Sequence, residues 1–309
     1  MEYLLFSHNK VKYCFLNKYL LSLNGVLIIL NGVNMEIIEI IKDALVFPST
    51  NMRAFLIFVL LTIFAGVFST IGILLYILGV LNAEFFLWGG LAAVVAMLIG
   101  WVMSGYSISV IKSGIELEDE VPEFVWWDNF ITGFNNFIVA IVYFIIPAFL
   151  VAVVGYMTNI TGNIMAVATE ISSQAVNVYT GASSSIAVDA ISQAFAGLVG
   201  SLAVTLTAAV MLFVIFSFLQ TIAEARLANT DSLGKALNVF EATKDIGRIG
   251  VVKVISVILL VIIVAAVINM ILSAIFNYVP ILSILSVFVS PYLVLFAQRA
   301  VGLLYSDIA

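Results

Sequence analysis

Residues 254–298 read VISVILLVIIVAAVINMILSAIFNYVPILSILSVFVSPYLVLFAQ, 45 consecutive positions without Asp, Glu, Lys or Arg. A helix that crosses a bilayer needs about 20 apolar residues, so this run is too long for one crossing and long enough for two. Asn277-Tyr278-Val279-Pro280 interrupts it with turn-forming residues, which predicts two spans joined by a tight hairpin. The same reading applied outward finds four further charge-free stretches, at 54–83, 85–111, 129–169 and 190–223. Six spans follow, at about 54–80, 86–111, 135–157, 194–220, 250–275 and 281–303.

Composition agrees. Of 309 residues, 63% are hydrophobic and 10% charged, against roughly 25% charged in a soluble domain. Such a chain lacks the ionic surface to face water, which excludes a soluble enzyme and a nucleic-acid binder. The fold class expected is all-α: a polytopic transmembrane helical bundle of six spans with amphipathic helices in the cytoplasmic interface.

Orientation follows from the basic residues, because Lys and Arg collect on cytoplasmic segments. With the N-terminus inside, Lys10, Lys12, Lys18, Lys42, Arg53, Lys112, Arg226, Lys235, Lys244, Arg248, Lys253 and Arg299 all fall on the cytoplasmic side, and the outer side holds only Glu84, Glu170 and Asp189. The chain therefore reads as a multi-pass protein of the cell membrane with both termini cytoplasmic.

Residues 1–34 carry a short apolar run, Leu20 to Leu30, broken by Asn24-Gly25. No small-residue cleavage site follows it. Translation is expected to start at Met35, leaving 1–34 as an extension and 35–309 as one membrane domain. His8 and Cys14, the single histidine and the single cysteine, both lie in that extension. The membrane domain thus offers no imidazole, thiol or usual zinc ligand. No carboxylate falls within a predicted span, where proton-coupled transporters place their relays; the spans hold amides, hydroxyls and tyrosines such as Asn269, Ser290, Tyr143 and Tyr292. No catalytic residue, cofactor or metal site is expected, and the chain does not read as an enzyme.

Three cytoplasmic segments have amphipathic spacing, each ahead of an odd-numbered span. Glu36 to Phe47 places Ile37, Ile38, Ile41 and Leu45 on one side and stops at Pro48. PEFVWWDNFITGF begins at Pro122, a residue suited to a helix's first turn, and spaces Phe124, Trp127, Phe130, Ile131 and Phe134 by threes and fours. The third, with Asp231 as N-cap, aligns Leu233, Ala236, Leu237 and Phe240. Two readings stay open: a parallel triplicated unit, or the ordinary amphipathicity of helices that lead into spans.

Phe124, Trp126, Trp127 and Phe130 are candidate interfacial anchors. Gly197, Ser201, Thr205 and Ala209 put a small residue at every fourth position, a candidate helix-packing face. Pro147 and Pro291 are candidate kinks, and Arg299 is expected to snorkel to the interface. The acidic run Glu116, Glu118, Asp119, Glu120 and Glu123 lacks the spacing of a calcium loop and reads as a solvated turn. Within the outer segment 158–193, MAVATEISSQAV reads as a surface helix.

GYSISVIKSGIELEDEVPEFVWWDNFITGFNNFIVAIVYFIIP, Gly105 to Pro147, resembles the domain of unknown function 4013 family, multi-spanning membrane proteins found mainly in archaea. The similar features are Gly105-Tyr106 ending a span, the acidic linker, Pro122-Glu123-Phe124, Trp127-Asp128, Gly133, Tyr143 and Pro147, with IIEIIKDALVFPS at the start and Gly302-Leu303-Leu304-Tyr305 at the end. The resemblance covers Met35 to the C-terminus. The family has no assigned biochemical activity, so it implies no catalytic residue. The function expected is a non-enzymatic membrane component organising lipid or partner proteins through its cytoplasmic face. The alternative is a permease or facilitator for a neutral or apolar solute near Pro147 and Pro291. Membrane lipids are the expected partners, with a protein partner at the cytoplasmic face and no nucleic acid.

Overall fold

The computed structural model describes residues 35–180 and 186–309. The reading of 1–34 as an extension lies outside the described residues. In chain order the helices are α1 (Ile37–Val46), α2 (Met52–Leu78), α3 (Glu84–Ile115), α4 (Trp126–Met157), α5 (Ile160–Thr180), α6 (Ile186–Thr230), α7 (Leu233–Ala236), α8 (Val239–Ile249), α9 (Val251–Tyr278) and α10 (Ser286–Tyr305). Short 3-10 turns at Phe47–Ser49 and Pro280–Leu285 complete the order, and no strand occurs among the described residues. Six helices, α2, α3, α4, α6, α9 and the Pro280–Tyr305 segment, are long and apolar enough to cross a membrane. The chain is an all-α, multi-spanning bundle.

Local signals set most boundaries. Glu36 and Glu39 close a capping box on α1, and Pro48 falls in the 3-10 turn that ends it. Asn51 caps α2 by accepting from the Ala54 amide at 3.2 Å, and its own amide donates to the Val121 carbonyl at 3.2 Å. The Asn277 to Pro280 turn separates α9 from the last crossing, as its residues predict. The surface helix expected at 165–176 falls within α5.

Burial is strongly polarised along the bundle. In α9, 28 residues long, the buried positions are Val254 and Val257, both in the first two turns. In α10 they run from Pro291 to Tyr305, and in α3 they concentrate between Gly105 and Ile115. These segments meet at the end that carries Lys42, Arg53, Lys112, Arg226, Lys253 and Arg299, the basic end. At the far end Ile71, Leu74, Val95, Leu206 and Ile271 stand exposed. The asymmetry has a physical cause. Among lipid tails, apolar side chains gain little by touching one another, whereas at the water boundary burial is favourable in proportion to the area removed from water.

The amphipathic segments behave differently from their sequence reading. In α1 the buried side chains are Ile40 and Ala44, while Ile38 and Leu45 are exposed; the helix turns a narrower stripe into the core and leaves two of its isoleucine and leucine side chains outside. Residues 121–125 are not helical, so Pro122 is not in a first turn. Trp126 to Phe134 form the first turns of α4 rather than a separate helix, since no breaker stands between Trp126 and the apolar run. Asp231 is no N-cap: it takes φ +48 and terminates α6, while Ser232 and Asn238 precede α7 and α8. Because the chain breaks at Leu237, Phe240 leaves the predicted stripe and is 83% exposed.

Candidate functional site at the basic end

Four tyrosines tie helices to the connectors of the basic end. Tyr106 donates to the Pro122 carbonyl at 3.0 Å and Tyr143 to the Ala236 carbonyl at 3.1 Å. Tyr292 donates to the Leu45 carbonyl and Tyr305 to the Asp245 carboxylate at 2.8 Å. Tyr143 and Tyr292 thus commit their hydroxyls to backbone carbonyls as structural clasps.

Charged pairs reinforce the clasps. Asp245, 1% exposed, accepts from Arg226 Nη1 at 2.6 Å and from Tyr305, so α6, α8 and α10 share one carboxylate. Arg226 also donates through Nε to the Lys235 carbonyl at 3.1 Å. Lys112 meets Asp231 at 2.6 Å, and Lys253 meets Asp307. Arg299 does not snorkel. It is 2% exposed, donates to Asp43 at 2.8 Å and to the Ser113 carbonyl at 3.0 Å, and lies 4.2 Å from the centre of the Phe47 ring. With Asp43, Ser113 and Phe47 all within reach, the guanidinium is satisfied inside the protein and has no need of the interface.

A polar cluster sits beside this network. Helices α3 and α4 cross with backbones in contact: a Cβ on Gly133 would fall 1.6 Å from the Trp101 carbonyl oxygen, and one on Gly105 1.7 Å from that of Asn129. Flanking this crossing, Ser109 donates to Asn129 at 3.2 Å and Asn136 donates to Ser104 at 2.9 Å. Against Asn136 lies Glu224 of α6, which accepts from Gln220 at 3.1 Å. Two buried amide atoms of the cluster, Asn129 Nδ2 and Asn136 Oδ1, have no hydrogen-bond partner. The fourth crossing helix continues past residue 220, where the predicted span ends, to Thr230 and carries Glu224 and Arg226 on it; Arg226 finds its partner Asp245 on α8.

The depth of the cluster follows from helix rise. Met157 to Asn136, Glu84 to Ser104 and Thr205 to Glu224 are separated by 21, 20 and 19 positions. Each separation is about 30 Å of helix, the thickness of the hydrocarbon layer. Thr205 is level with the far end of α4, where its hydroxyl lies 3.1 Å from that of Thr158. The cluster therefore lies at the limit of the apolar layer on the side of the basic end.

The other sequence candidates are distributed as follows. Phe124 stacks on Tyr106 with ring centres 4.7 Å apart and lies 4.8 Å from Trp126. Trp127 stacks on Phe130 at 5.9 Å, and Phe130 meets Trp101 edge-on. Trp126 and Trp127 are exposed at 57% and 68%. Ser201 is buried, Thr205 faces Gly155 of α4, and Gly197 faces α5, its carbonyl accepting from Asn163 at 3.2 Å. Ala209 lies one turn further along α6. Pro147 and Pro291 are buried within α4 and α10, which run on through both. A recess of about 420 Å³ beside Pro291 is lined by Asn269, Ser273, Asn277, Ser286 and Ser290 among others, and one of about 440 Å³ by Thr62, Gly66, Thr70 and Val287 among others. Among the described residues no group of three or more His, Cys, Asp or Glu is placed to hold a metal ion.

The family described as "Protein of unknown function (DUF4013)" matches residues 88–277, and the chain belongs to it. That stretch contains α4, α6, α8 and the whole Glu224 cluster. No curated protein and no solved structure matches the chain.

Proposed function

We propose that this member of the family is a non-enzymatic component of the cell membrane, with both termini cytoplasmic, that organises lipid or a partner protein through its basic end. One observation carries the reading: packing, ion pairs and tyrosine clasps are all gathered at that end, while the far halves of the crossing helices present apolar side chains outward. A closely packed face at the basic end, with apolar side chains turned outward on the far side, suits a platform better than a gated pore. The exposed Phe240, Trp126 and Trp127 offer that platform's apolar contacts. The test is gentle extraction into nanodiscs followed by mass spectrometry of bound proteins and lipids. The reading expects a stoichiometric companion that is lost on Phe240→Ser or Trp127→Ser. Solute flux in proteoliposomes, with no companion bound, would overturn it.

The alternative, a permease for a neutral or apolar solute, is favoured by the amide- and hydroxyl-lined recess beside Pro291. Its polar wall from Asn269 to Asn277 covers only about 12 Å along the helix, less than half of the apolar layer.

A further inference from the structure

A hydroxyl or amide turned toward hydrocarbon is costly unless it has a partner. Exposed hydroxyls of the crossing helices, such as Thr70 and Thr207, meet this by donating to the carbonyl four residues earlier. The recess between α9 and α10 does not. Asn269, Ser273 and Asn277 of α9, spaced by four, stand across from Ser286 and Ser290 of α10 around a cavity of about 420 Å³. All five are exposed, so no part of the described chain covers them. Their hydrogen bonds are few and local: Asn269 donates to the Ala265 carbonyl at 2.8 Å and Ser286 to the Ser283 carbonyl at 2.6 Å. The Asn277 amide, the Ser273 and Ser290 hydroxyls and the Asn269 carbonyl oxygen have no partner among the described residues. The depth of the recess follows from the Lys253–Asp307 ion pair at the basic end. Asn269 and Asn277 lie 16 and 24 positions on from Lys253, and Ser290 and Ser286 lie 17 and 21 positions back from Asp307. At about 1.5 Å per residue the recess covers about 24–36 Å from the pair, so it straddles the far limit of an apolar layer about 30 Å thick.

We propose that this recess binds the uncharged, polyhydroxyl headgroup of a glycolipid in the far leaflet. Neither its lining nor any position from 254 to 298 is Asp, Glu, Lys or Arg, so a phosphate or an ammonium would meet no counter-charge there. Asn and Ser side chains each donate and accept, as the hydroxyls of a sugar do. Leu272, Phe276 and Val289 complete the lining with an apolar wall, against which the carbon face of a sugar ring packs. The depth, and the exposed Met270, Ile271 and Phe288 on the same stretches of helix, point to a headgroup that arrives with its acyl chains. The polar lining stops about 24 Å short of the ion pair, so the headgroup is held rather than passed through. The inference is independent of the platform reading, which concerns the opposite end of the bundle.

The test is native mass spectrometry of the full-length protein in a detergent without a sugar headgroup, after incubation with equal amounts of diglucosyl diacylglycerol and a phosphatidylglycerol of the same acyl chains. The glycolipid is expected to be retained about tenfold more than the phosphatidylglycerol. Asn277→Leu and Ser290→Ala remove no side-chain hydrogen bond of the folded chain, and each is expected to lower that retention about threefold to tenfold. Thr70→Val on α2 is expected to leave it unchanged, and free maltose in millimolar excess is expected not to displace the glycolipid. Equal retention of the two lipids, or retention unaltered in both recess variants, would overturn the proposal. Displacement by maltose would overturn the lipid as the source of the headgroup. A dimer that is lost on Asn277→Leu, with no glycolipid retained, would overturn the proposal in favour of a second copy of the chain.

Discussion

Replacing Asp245 by Ala removes the carboxylate that α6, α8 and α10 share. The side chain is 1% exposed and its partner Arg226 14%, with 2.6 Å between them. Stripping one member from a buried pair leaves the other charge uncompensated, a loss of about 3–5 kcal/mol. Tyr305 also loses the acceptor it meets at 2.8 Å, adding about 1–2 kcal/mol. Glu241, 3.6 Å from the other guanidinium nitrogen, recovers part of this, so the net expectation stays at about 3–5 kcal/mol. Asp245→Asn, which keeps the shape and an acceptor for Tyr305, should cost less, about 2–3 kcal/mol. The assay is reversible unfolding by a denaturing detergent in mixed micelles, followed by helical circular dichroism, with a double-mutant cycle between Asp245→Asn and Tyr305→Phe. A coupling energy of about 1 kcal/mol or more is expected. Asp245→Ala within about 0.5 kcal/mol of the unaltered protein, the range of ordinary surface changes, would refute the claim that this carboxylate locks the basic end.

Other consequences follow from the same packing. Arg299→Met should cost about 2–3 kcal/mol, chiefly from the Ser113 carbonyl and the Phe47 contact, since Asp43 is 36% exposed and regains water; the same unfolding titration measures it. Gly133→Ala forces a Cβ to within 1.6 Å of the Trp101 carbonyl oxygen and should destabilise by about 1–3 kcal/mol or more, whereas Gly66→Ala, with nothing within 4 Å, should not; comparing their unfolding midpoints separates backbone contact from helix propensity. The Lys244 hydrogen bond, then the Lys244 charge, hold the Glu241 carboxyl below the usual carboxylate range. Its contribution is therefore complete above the ordinary carboxylate pKa and fades as pH falls through the lowered value. Glu241→Gln should flatten the acid limb of a stability profile.

The crossings were legible because length without charge is a one-dimensional property. The run 254–298 and its Asn277 to Pro280 turn reappear as α9, a break and α10. The amphipathic connectors were legible only as periodicity. Nothing in the spacing of Leu233, Ala236, Leu237 and Phe240 reveals that the chain breaks at Leu237 and turns Phe240 outward, since that break depends on Asn238 capping the next helix. The Glu224 cluster was hidden for a different reason. Residues 104, 136 and 224 are far apart in sequence, and a carboxylate four positions past the end of the predicted span 194–220 reads as a loop residue until its neighbours are known. Arg299 gave no sign that Asp43, 256 positions earlier, would hold it inside. A Gly105 and a Gly133 on successive spans were the one available signal of a close crossing, and such glycines are frequent in membrane helices.

The account stands on the basic end being the cytoplasmic one. In a Cys14→Ser background, single cysteines at Lys235 and Glu170 should respond oppositely to a membrane-impermeant maleimide applied to intact cells: the second labelled at once, the first only after the membrane is opened. Immediate labelling at position 235, or shielding at 170 until lysis, would contradict it.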